Sequence, residues 1–327
     1  MARRYKIIKL CNLSPLHIGT GHDDCSTLSN ELPSDTLSAA LVAMKAQLND
    51  SIDAQAFMES FVISSAFPFI DKQLFLPKPM GRILLVQGCD EEPIRKKLKK
   101  VKYIEFSQWK EMVRGKALNI EEKQLSGEFL LDKESNHKKP YCYQVNERVA
   151  VSRDGGDATP FYFKWQYHSP DAGLFCIVDC SEGTFAEIKR LFELLGETGI
   201  GSSKSIGGGK FEIATDEIEL PEVQNADSTL LLSHYIPTKE EIEQIDLEAS
   251  QYEIIQRGGY MAGSSVQAIQ HLLKKSVYMI KSGSLINGVH NLRGKIADVT
   301  PHWNDQRIHP ILRSGCPIVL PIKKQTL

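Results

Sequence analysis

The chain opens with alternating apolar and polar positions and then changes to helical spacing. Residues 5–13 read Tyr-Lys-Ile-Ile-Lys-Leu-Cys-Asn-Leu, a pattern that predicts a strand. Residues 32–36 supply the Pro, Ser, Asp and Thr that begin helices, and the apolar side chains after them recur every three or four positions. The predicted buried face of this helix consists of Leu37, Ala40, Leu41, Met44 and Leu48. The chain therefore begins with a strand followed by a helix.

A second set of periodic segments follows residue 140. Strands are predicted at residues 143–152, 161–167 and 174–179. Residues 184–195 carry apolar side chains at helical spacing, and residue 211 opens another alternating segment. If the residues between the two sets form an insertion, the first half has the order β-α-β-β-α-β, which is the ferredoxin-like or RRM-like arrangement.

A polar, acidic segment at residues 221–227 separates this half from a less regular one. In the second half we predict strands at residues 229–236, 252–256, 276–281 and 316–322, and a helix at residues 238–245. The predicted fold is α+β, with tandem ferredoxin-like (RRM-like) domains and a Gly-rich loop. The first domain covers residues 1–220 with an insertion at about 60–140, and the second, a degenerate copy, covers residues 227–327.

Composition limits the classes of function. A chain of 327 residues with 42% hydrophobic content has room for two cores, and its net charge of −2 creates no overall field that attracts nucleic acid. Any contact with nucleic acid must therefore be local. Because no apolar run approaches the ~20 residues of a membrane span, and the N-terminus does not read as a signal peptide, we expect a cytoplasmic protein without membrane contact. Seven cysteines without a Cys-x-x-Cys pair predict reduced thiols, no metal site and no cofactor.

The most unusual segment is residues 196–211, which we call the Gly loop. It contains six glycines, three serines and two lysines. The loop follows a predicted helix and precedes a strand, whereas Walker and dinucleotide-binding loops precede a helix. We predict that consecutive backbone amides of this loop bind phosphate groups together with Lys204 and Lys210. A surface loop without a ligand is the alternative.

Two other segments are candidates for anion contacts. Residues 95–102 form a predicted basic helix with one apolar stripe, for which a solvated face is the alternative interpretation. Arg148 and Arg153 flank an extended segment beside a predicted hairpin loop. Extended arginines clamp phosphates or stack on unpaired bases, although both also have acidic neighbours for surface ion pairs.

Candidate catalytic residues lie in the turn after the first strand. His17 or His22 could serve as a general base for attack of a 2′-OH on an RNA phosphodiester. Asp23 and Asp24 could hold a divalent ion for phosphodiester cleavage, or they could simply form a turn. Both roles stay open at this level, because most histidines and adjacent aspartates in turns are structural.

Several motifs taken together resemble those of a known family. They are Leu16-His17-Ile18-Gly19-Thr20-Gly21, Leu32-Pro33-Ser34-Asp35-Thr36-Leu37, the Gly loop, the segment from Asn146 to Arg153, Arg257-Gly-Gly-Tyr260, Lys275-Ser-Val-Tyr-Met and residues 294–301. This set is similar to the RAMP superfamily of CRISPR proteins. Within it, the chain resembles the subunit of type III-A (Csm) effectors that holds the 5′ tag of the CRISPR RNA (crRNA).

The resemblance implies a ribonucleoprotein subunit in antiviral defence that binds crRNA and has no catalytic role. Its implied protein partners are the large polymerase-like subunit and the repeated backbone RAMP subunit, and it would meet target RNA only indirectly. The family's loop often carries an Arg where this chain has Lys204. The predicted RNA-binding residues are Gly199, Gly201, Ser202, Ser203, Lys204, Ser205, Gly207, Gly208, Lys210, Arg148, Arg153 and His17, with no catalytic residue and no metal ligand.

Three other functions remain to be weighed against this one. The first is a metal-independent endoribonuclease that processes precursor crRNA with a His general base. The second is metal-dependent cutting of target RNA through Asp23 or Asp24. The third is a scaffold that contacts only proteins.

Overall fold

Strand β1 (Arg3–Cys11) lies inside the larger sheet, because both of its faces are apolar. Ile7 packs into one core, and Ile8 and Leu10 pack into another on the opposite face of the sheet. The computed structural model of the chain describes residues 3–19, 31–48, 52–81, 86, 92–134, 139–151, 155, 158–261, 272–289, 291–301 and 310–326.

The elements are mostly strands. The other strands are β2 (Phe61–Ile63), β3 (Phe67–Ile70), β4 (Gln73–Pro77), β5 (Tyr103–Glu105), β6 (Arg114–Lys116), β7 (Leu125–Ser126), β8 (Phe129–Leu130), β9 (Tyr141–Ala150), β10 (Thr159–His168), β11 (Ala172–Cys180), β12 (Glu212–Leu220), β13 (Ser228–Leu231), β14 (Asp246–Gln251), β15 (Ile254–Arg257), β16 (Val277–Ile280), β17 (Leu285–Asn287), β18 (Ile296–Asp298), β19 (Leu312–Ser314) and β20 (Val319–Thr326). The helices are α1 (Ser34–Leu48), α2 (Ala54–Glu59), α3 (Glu92–Lys100), α4 (Phe106–Val113), α5 (Glu182–Thr198) and α6 (Lys239–Gln244), with short 3₁₀ turns at Glu122–Gln124 and Lys204–Ile206. The predicted α+β class is confirmed.

The larger sheet has the order β12-β1-β11-β3-β4-β5-β8-β7, and β2 also pairs with β11. Strand β1 is antiparallel to both of its neighbours, β11 and β12. Helices α1 and α5 contact each other and contribute to the core on the face of Ile8 and Leu10. The first strand, its helix, the last helix and the last strand of this half therefore form one layered unit.

The region predicted as an insertion continues the sheet beyond β3. Strands β4, β5, β8 and β7 extend it, and α4 packs beside them. Trp109 is fully buried, and its indole Nε1 donates a hydrogen bond to the carbonyl oxygen of Pro77 at 3.0 Å. Met112, Leu118, Ile120 and Phe129 are buried in the same core, so several apolar side chains fix this stretch.

The predicted hairpin forms a separate two-stranded ribbon, β9 with β10, paired over ten residues of each strand. Phe163 and Trp165 are buried along one face of this ribbon, while Val145, Val149 and Tyr162 are exposed on the other. We call it the β9–β10 ribbon.

The second half builds a five-stranded sheet in the order β14-β17-β13-β20-β6. Strand β6 comes from the first half and runs parallel to β20. The predicted helix at residues 238–245 is confirmed as α6, which begins with a capping box between Thr238 and Glu241. The predicted strand at residues 229–236 is shorter, because regular pairing of β13 ends at Leu231.

Buried hydrogen bonds join the two halves. Ser65 N donates to Leu232 O at 2.9 Å, and His234 N donates to Ser34 Oγ at 2.8 Å. Ile7 and Leu230 also belong to the same core. Among the residues described, no helix is both long and apolar enough to cross a membrane.

His168 generates the first testable prediction. Neither ring nitrogen has a hydrogen-bond partner within the described residues, and burial lowers the pKa of this side chain to about 4. Between pH 6.5 and pH 4 the unfolded chain binds a proton at His168 more readily than the folded protein does. The free energy of unfolding therefore decreases as the pH falls below 6.5. The difference in the pKa of His168 between the two states should lower the free energy of unfolding by about 2 kcal/mol between pH 7 and pH 5.

We expect His168→Phe to be neutral or stabilising at pH 7 and to flatten the decline toward pH 5. His234→Phe is the contrasting variant, because Nδ1 of His234 accepts a hydrogen bond from Ser282 N at 3.2 Å. Removing that acceptor should destabilise the protein at both pH values. Urea unfolding at pH 7 and pH 5 gives the free energy of unfolding of the unaltered protein and of both variants. If that free energy falls as steeply with pH in His168→Phe as in the unaltered protein, the prediction is contradicted.

Candidate nucleic-acid interface

Helix α5 delivers the chain into the Gly loop. Ser181 caps its N-terminus through a hydrogen bond from Thr184 N, and its C-terminal cap is Gly199 at φ 82°. The apolar spacing predicted the helix as far as residue 195, and the helix continues for three more residues, to Thr198. Gly196 lies in the last turn, where an added Cβ would meet Phe211 O at 2.2 Å. This glycine therefore permits the close approach of the loop's return segment to the helix.

The Gly loop is bound to the turn that follows β1, residues 14–18, which we call the β1 turn. Ser14 N donates to Lys210 O at 2.9 Å, and Gly209 N donates to Pro15 O at 3.0 Å. Ser202 N donates to the carbonyl oxygen of His17 at 3.1 Å. Two segments almost 200 residues apart in sequence thus form one hydrogen-bonded surface.

Most amides of the Gly loop are consumed inside the protein. The paired amides are those of Gly199, Ile200, Ser202, Ile206, Gly207, Gly208, Gly209, Lys210 and Phe211. The expectation of a long run of free amides was therefore wrong, because the glycines serve close packing against the β1 turn instead. Within the Gly loop, four amides have no hydrogen-bond partner among the described residues: those of Gly201, Ser203, Lys204 and Ser205.

Three of these amides are consecutive, at residues 203–205, where Ser203 is buried and the two residues after it are exposed. Residues 203–205 lead into the 3₁₀ turn Lys204–Ile206, whose first N–H groups have no acceptor inside the turn. Lys204 and Ser205 are exposed, and Ile206 is 59% exposed beside them. This tip presents amide donors and one lysine outward, which is an arrangement suited to anions.

The β9–β10 ribbon carries Arg148 to the same place. An added Cβ at Gly208 would lie 3.0 Å from the ring of Trp165, so the loop and the ribbon are in contact. The guanidinium carbon of Arg148 lies 4.7 Å from the centre of the Phe163 ring and 5.7 Å from that of Trp165. These rings hold Arg148 beside the loop through cation–π contacts. Arg153 lies outside the described residues.

His17 does not face solvent. Its side chain is 4% exposed, its Nδ1 is 2.7 Å from Lys164 O, and its ring centre is 4.2 Å from that of Phe163. The β9–β10 ribbon covers this side chain, and its contact with RNA stays a prediction. Only 4% of the residue is exposed to act as a general base for RNA cleavage.

The other candidates fall elsewhere. His22, Asp23 and Asp24 lie outside the described residues, and the described part of the chain contains no group of three or more side chains able to hold a metal ion. The basic helix α3 packs against β7, at the opposite end of the larger sheet from β12 and the Gly loop. Its Lys96 pairs with Glu92 at 2.9 Å, and Lys97 pairs with Glu122 at 2.6 Å. It is therefore not part of this interface.

Sequence reasoning missed a buried ionic cluster behind the loop. Asp35 in α1 has no exposed surface, and its Oδ2 accepts hydrogen bonds from Arg257 Nε at 3.1 Å and from Arg313. Arg257 also donates to Thr36 Oγ1 at 2.9 Å. Burial opposes ionisation of Asp35, but the two guanidinium groups outweigh it and lower its pKa to about 2. The sequence signals for this cluster were the motifs at residues 32–37 and 257–260, and neither of them indicated that the two segments meet.

Comparison with known proteins places the chain in a family. Residues 10–212 match the family model of the RAMP superfamily, and residues 224–322 match that of the CRISPR Csm4 C-terminal domain. Because the first match covers more than half of the chain, this protein belongs to the RAMP superfamily. The two matches together make it a Csm4-like member, as the sequence motifs predicted.

Individual relatives agree with this classification. The chain is 25% identical to the CRISPR system Cms protein Csm4 of Streptococcus thermophilus, over 87% of this chain and 89% of that protein. It is 22% identical to the protein of the same name from Thermococcus onnurineus (strain NA1), over 77% of this chain and 83% of the relative.

Solved structures share the fold. A crystal structure of the Csm1-Csm4 cassette in complex with cA4 aligns with a TM-score of 0.66 at 17% identity, over 99% of this chain and 100% of the matched chain. A Csm3-Csm4 subcomplex from the type III-A CRISPR-Cas interference complex aligns with a TM-score of 0.61 at 18% identity, over 97% and 99%.

The packing of the Gly loop yields a prediction at Gly209. An added Cβ there would lie 1.8 Å from Ile200 O, at φ 69°. We expect Gly209→Ala to lower the unfolding free energy by roughly 3 kcal/mol or more, because backbone must move. Gly207→Ala is the matched control, with φ 84° but open space around the added Cβ. It should cost only about 1 kcal/mol of positive-φ strain. If urea unfolding shows that the two variants lose equal amounts of unfolding free energy, close packing does not hold the loop.

The ionic cluster yields a second prediction. Asp35→Ala leaves two buried guanidinium groups without their carboxylate, and we expect it to cost about 3–5 kcal/mol of unfolding free energy. Asp216→Ala removes an exposed carboxylate that pairs with Lys9 at 2.9 Å, and should cost less than about 1 kcal/mol. The comparison is made by urea unfolding at pH 7, and similar costs for the two variants would refute the proposed importance of the buried cluster.

Proposed function

We propose that this protein is a non-catalytic, RNA-binding subunit of a type III-A CRISPR (Csm) effector complex, and that it holds the 5′ tag of the crRNA. The observation that carries the proposal is the exposed tip of the Gly loop. Three consecutive amides at residues 203–205 have no hydrogen-bond partner among the described residues, Lys204 is exposed, and Arg148 lies on the neighbouring ribbon. Amide donors with adjacent cations match the phosphate groups of a polynucleotide.

Each predicted site residue takes one of two roles in this proposal. Gly201, Lys204 and Ser205 would face the RNA backbone directly, the buried Ser203 would offer only its amide, and Ser202 and Lys210 are exposed at the margins. Gly199, Gly207 and Gly208 would support the loop, since their amides are bonded internally. Arg148 would add a phosphate contact or stack on an unpaired base, because its guanidinium lies on an aromatic platform and remains partly exposed.

The proposed partners follow from the relatives. Similar solved structures contain Csm1 with Csm4 and Csm3 with Csm4. We propose that this chain likewise bridges a large polymerase-like subunit to the repeated backbone subunit, and meets target RNA only through the assembled guide. A non-catalytic role is preferred over precursor processing because His17, one of the two candidate bases, is buried and hydrogen bonded to Lys164 O. The other candidate, His22, lies outside the described residues.

We also propose a domain organisation. Residues 1–220 would form the first ferredoxin-like domain, because β1 lies between β11 and β12 and two helices cover one face. Residues 227–327 would form a degenerate second domain around β13, β17 and β20, with α6 as its helix. The insertion at about 60–140 would extend the first sheet and lend β6 to the second.

The test uses the assembled complex with its guide RNA. We expect the double variant Lys204→Glu and Arg148→Glu to lower guide content by about tenfold or more at physiological salt, because two phosphate contacts become repulsive. The difference from the unaltered complex should shrink as the salt concentration rises, because salt screens both the lost attraction and the new repulsion. Guide content is measured by quantifying RNA that copurifies with the complex.

The matched control reverses two exposed lysines of α3, Lys99→Glu and Lys100→Glu, and changes the net charge equally. It should leave guide content unchanged, since α3 lies at the far end of the sheet. If the loop variant keeps its guide, or if the α3 variant loses more, the assignment of the Gly loop is refuted.

A further inference from the structure

The second half of the chain carries a two-stranded ribbon of its own. Strands β15 and β16 pair over four residues each, and Tyr260 pairs with Leu273 further along. We call residues 254–261 and 272–280 the β15–β16 ribbon. Because β15 follows β14 and β16 leads into β17, the ribbon continues a strand pair of the five-stranded sheet. One end of the ribbon is therefore anchored in that sheet.

One face of the β15–β16 ribbon packs against the protein. Met279 is buried on this face, and Arg257 lies on the same face of the ribbon. Arg257 donates hydrogen bonds to Asp35 at 3.1 Å and to Thr36 at 2.9 Å, both in α1. Arg257 and Lys274 also line a cavity of about 320 Å³ between α1 and the Gly loop. These contacts hold the ribbon in one position relative to the first half.

The opposite, outer face of the ribbon is apolar and exposed. Tyr278 lies directly across from Gln256, and Ile254 is two positions before Gln256 on the same face. The cross-strand pair of Tyr260 and Leu273 extends this surface along the ribbon. The four apolar side chains are between 54% and 68% exposed, so the described part of the chain leaves them uncovered.

The composition of this surface favours a protein partner over RNA. Surfaces that bind single-stranded nucleic acid combine aromatic side chains with cations. The β15–β16 ribbon has three cations and no acidic residue, and two of the cations, Arg257 and Lys274, line the cavity instead. Tyrosines beside aliphatic side chains, with few charges, are typical of the centre of a protein interface. An apolar surface of this kind on a folded chain marks an interaction site.

The position of the RNA decides between the two proposed protein partners. The repeated backbone subunit would share the guide strand, and would therefore lie near Lys204 and Arg148. The β9–β10 ribbon offers an apolar surface there, at Val145, Val149 and Tyr162. The outer face of the β15–β16 ribbon belongs to the second half and lies on the side opposite Arg257. This leaves it available to the other partner.

We propose that the outer face of the β15–β16 ribbon is the docking surface for the large polymerase-like subunit. That subunit presents an apolar, uncharged surface to Tyr278 and Leu273. The inference rests on the proposed function, because the large subunit is one of the two partners proposed there.

The experiment measures the Kd of the purified full-length chain for the purified large subunit by biolayer interferometry. We expect the double variant Leu273→Glu and Tyr278→Glu to raise this Kd about tenfold or more, because two carboxylates would enter an apolar contact. Both side chains are more than half exposed, so the variant should unfold in urea at the same concentration as the unaltered chain.

The matched control is Val145→Glu with Tyr162→Glu, which adds the same charge at equally exposed apolar positions of the β9–β10 ribbon. It should leave the Kd for the large subunit unchanged. If the β15–β16 variant binds the large subunit as tightly as the unaltered chain does, or if the control weakens binding equally, the inference is overturned.

Two further results would also overturn it, because each would assign the face to another occupant. One is loss of the repeated backbone subunit, rather than the large subunit, from complexes assembled with the β15–β16 variant. The other is a dimer of the unaltered chain in light scattering that the variant converts to a monomer. Guide content of the assembled complexes reports separately on the Gly loop, so the proposed RNA-binding role can stand when this inference fails. If the unaltered chain does not bind the large subunit, the proposed bridging role and this inference fail together.

Discussion

The close backbone contact between the β1 turn and the Gly loop is the constraint on which the interface depends. Hydrogen bonds from Ser202 N to His17 O and from Gly209 N to Pro15 O bring two main chains together. Side chains cannot stand between them, because a Cβ at Gly201 would lie 2.5 Å from His17 O. The glycines are therefore required for packing rather than for motion. As a result, the loop is fixed in place, and only its tip at residues 203–205 remains available to a ligand.

The buried cluster around Asp35 performs a different task, which is to join the two halves of the chain behind that loop. Asp35 belongs to the first helix, whereas Arg257 and Arg313 come from the second half. A buried ion pair adds little net stability compared with an apolar replacement, although breaking it is costly. Its physical consequence is geometric, since it sets where the two arginines lie relative to α1 and the cavity. The interface thus depends on both halves, even though the loop belongs to the first.

The sequence predicted those parts of the fold that local pattern determines. Strand-like patterns identified β1, β11 and β12, and the 3.6-residue period identified α1 and α5, because these signals lie within short stretches of sequence. It failed where partners are distant in sequence. The pairing of the loop amides depends on carbonyl groups of the β1 turn, and the cover over His17 comes from the β9–β10 ribbon. Alternation at Phe163 and Trp165 could have revealed an apolar face on that ribbon, but not the surface it would cover.

The distribution of charge explains how a chain with a net charge of −2 presents a cationic site. On β1 and β12 the charges cancel locally, since Lys9 pairs with Asp216 and Arg4 pairs with Glu217. At the interface they do not: within the described residues, Lys204 and Lys210 form no ion pair. Exposed pairs are screened and contribute little at a distance, so unpaired cations dominate the local field. Net charge is therefore a poor guide to nucleic-acid binding when acidic residues are already paired on another face, and the relevant quantity is the charge that the fold leaves unpaired beside the loop.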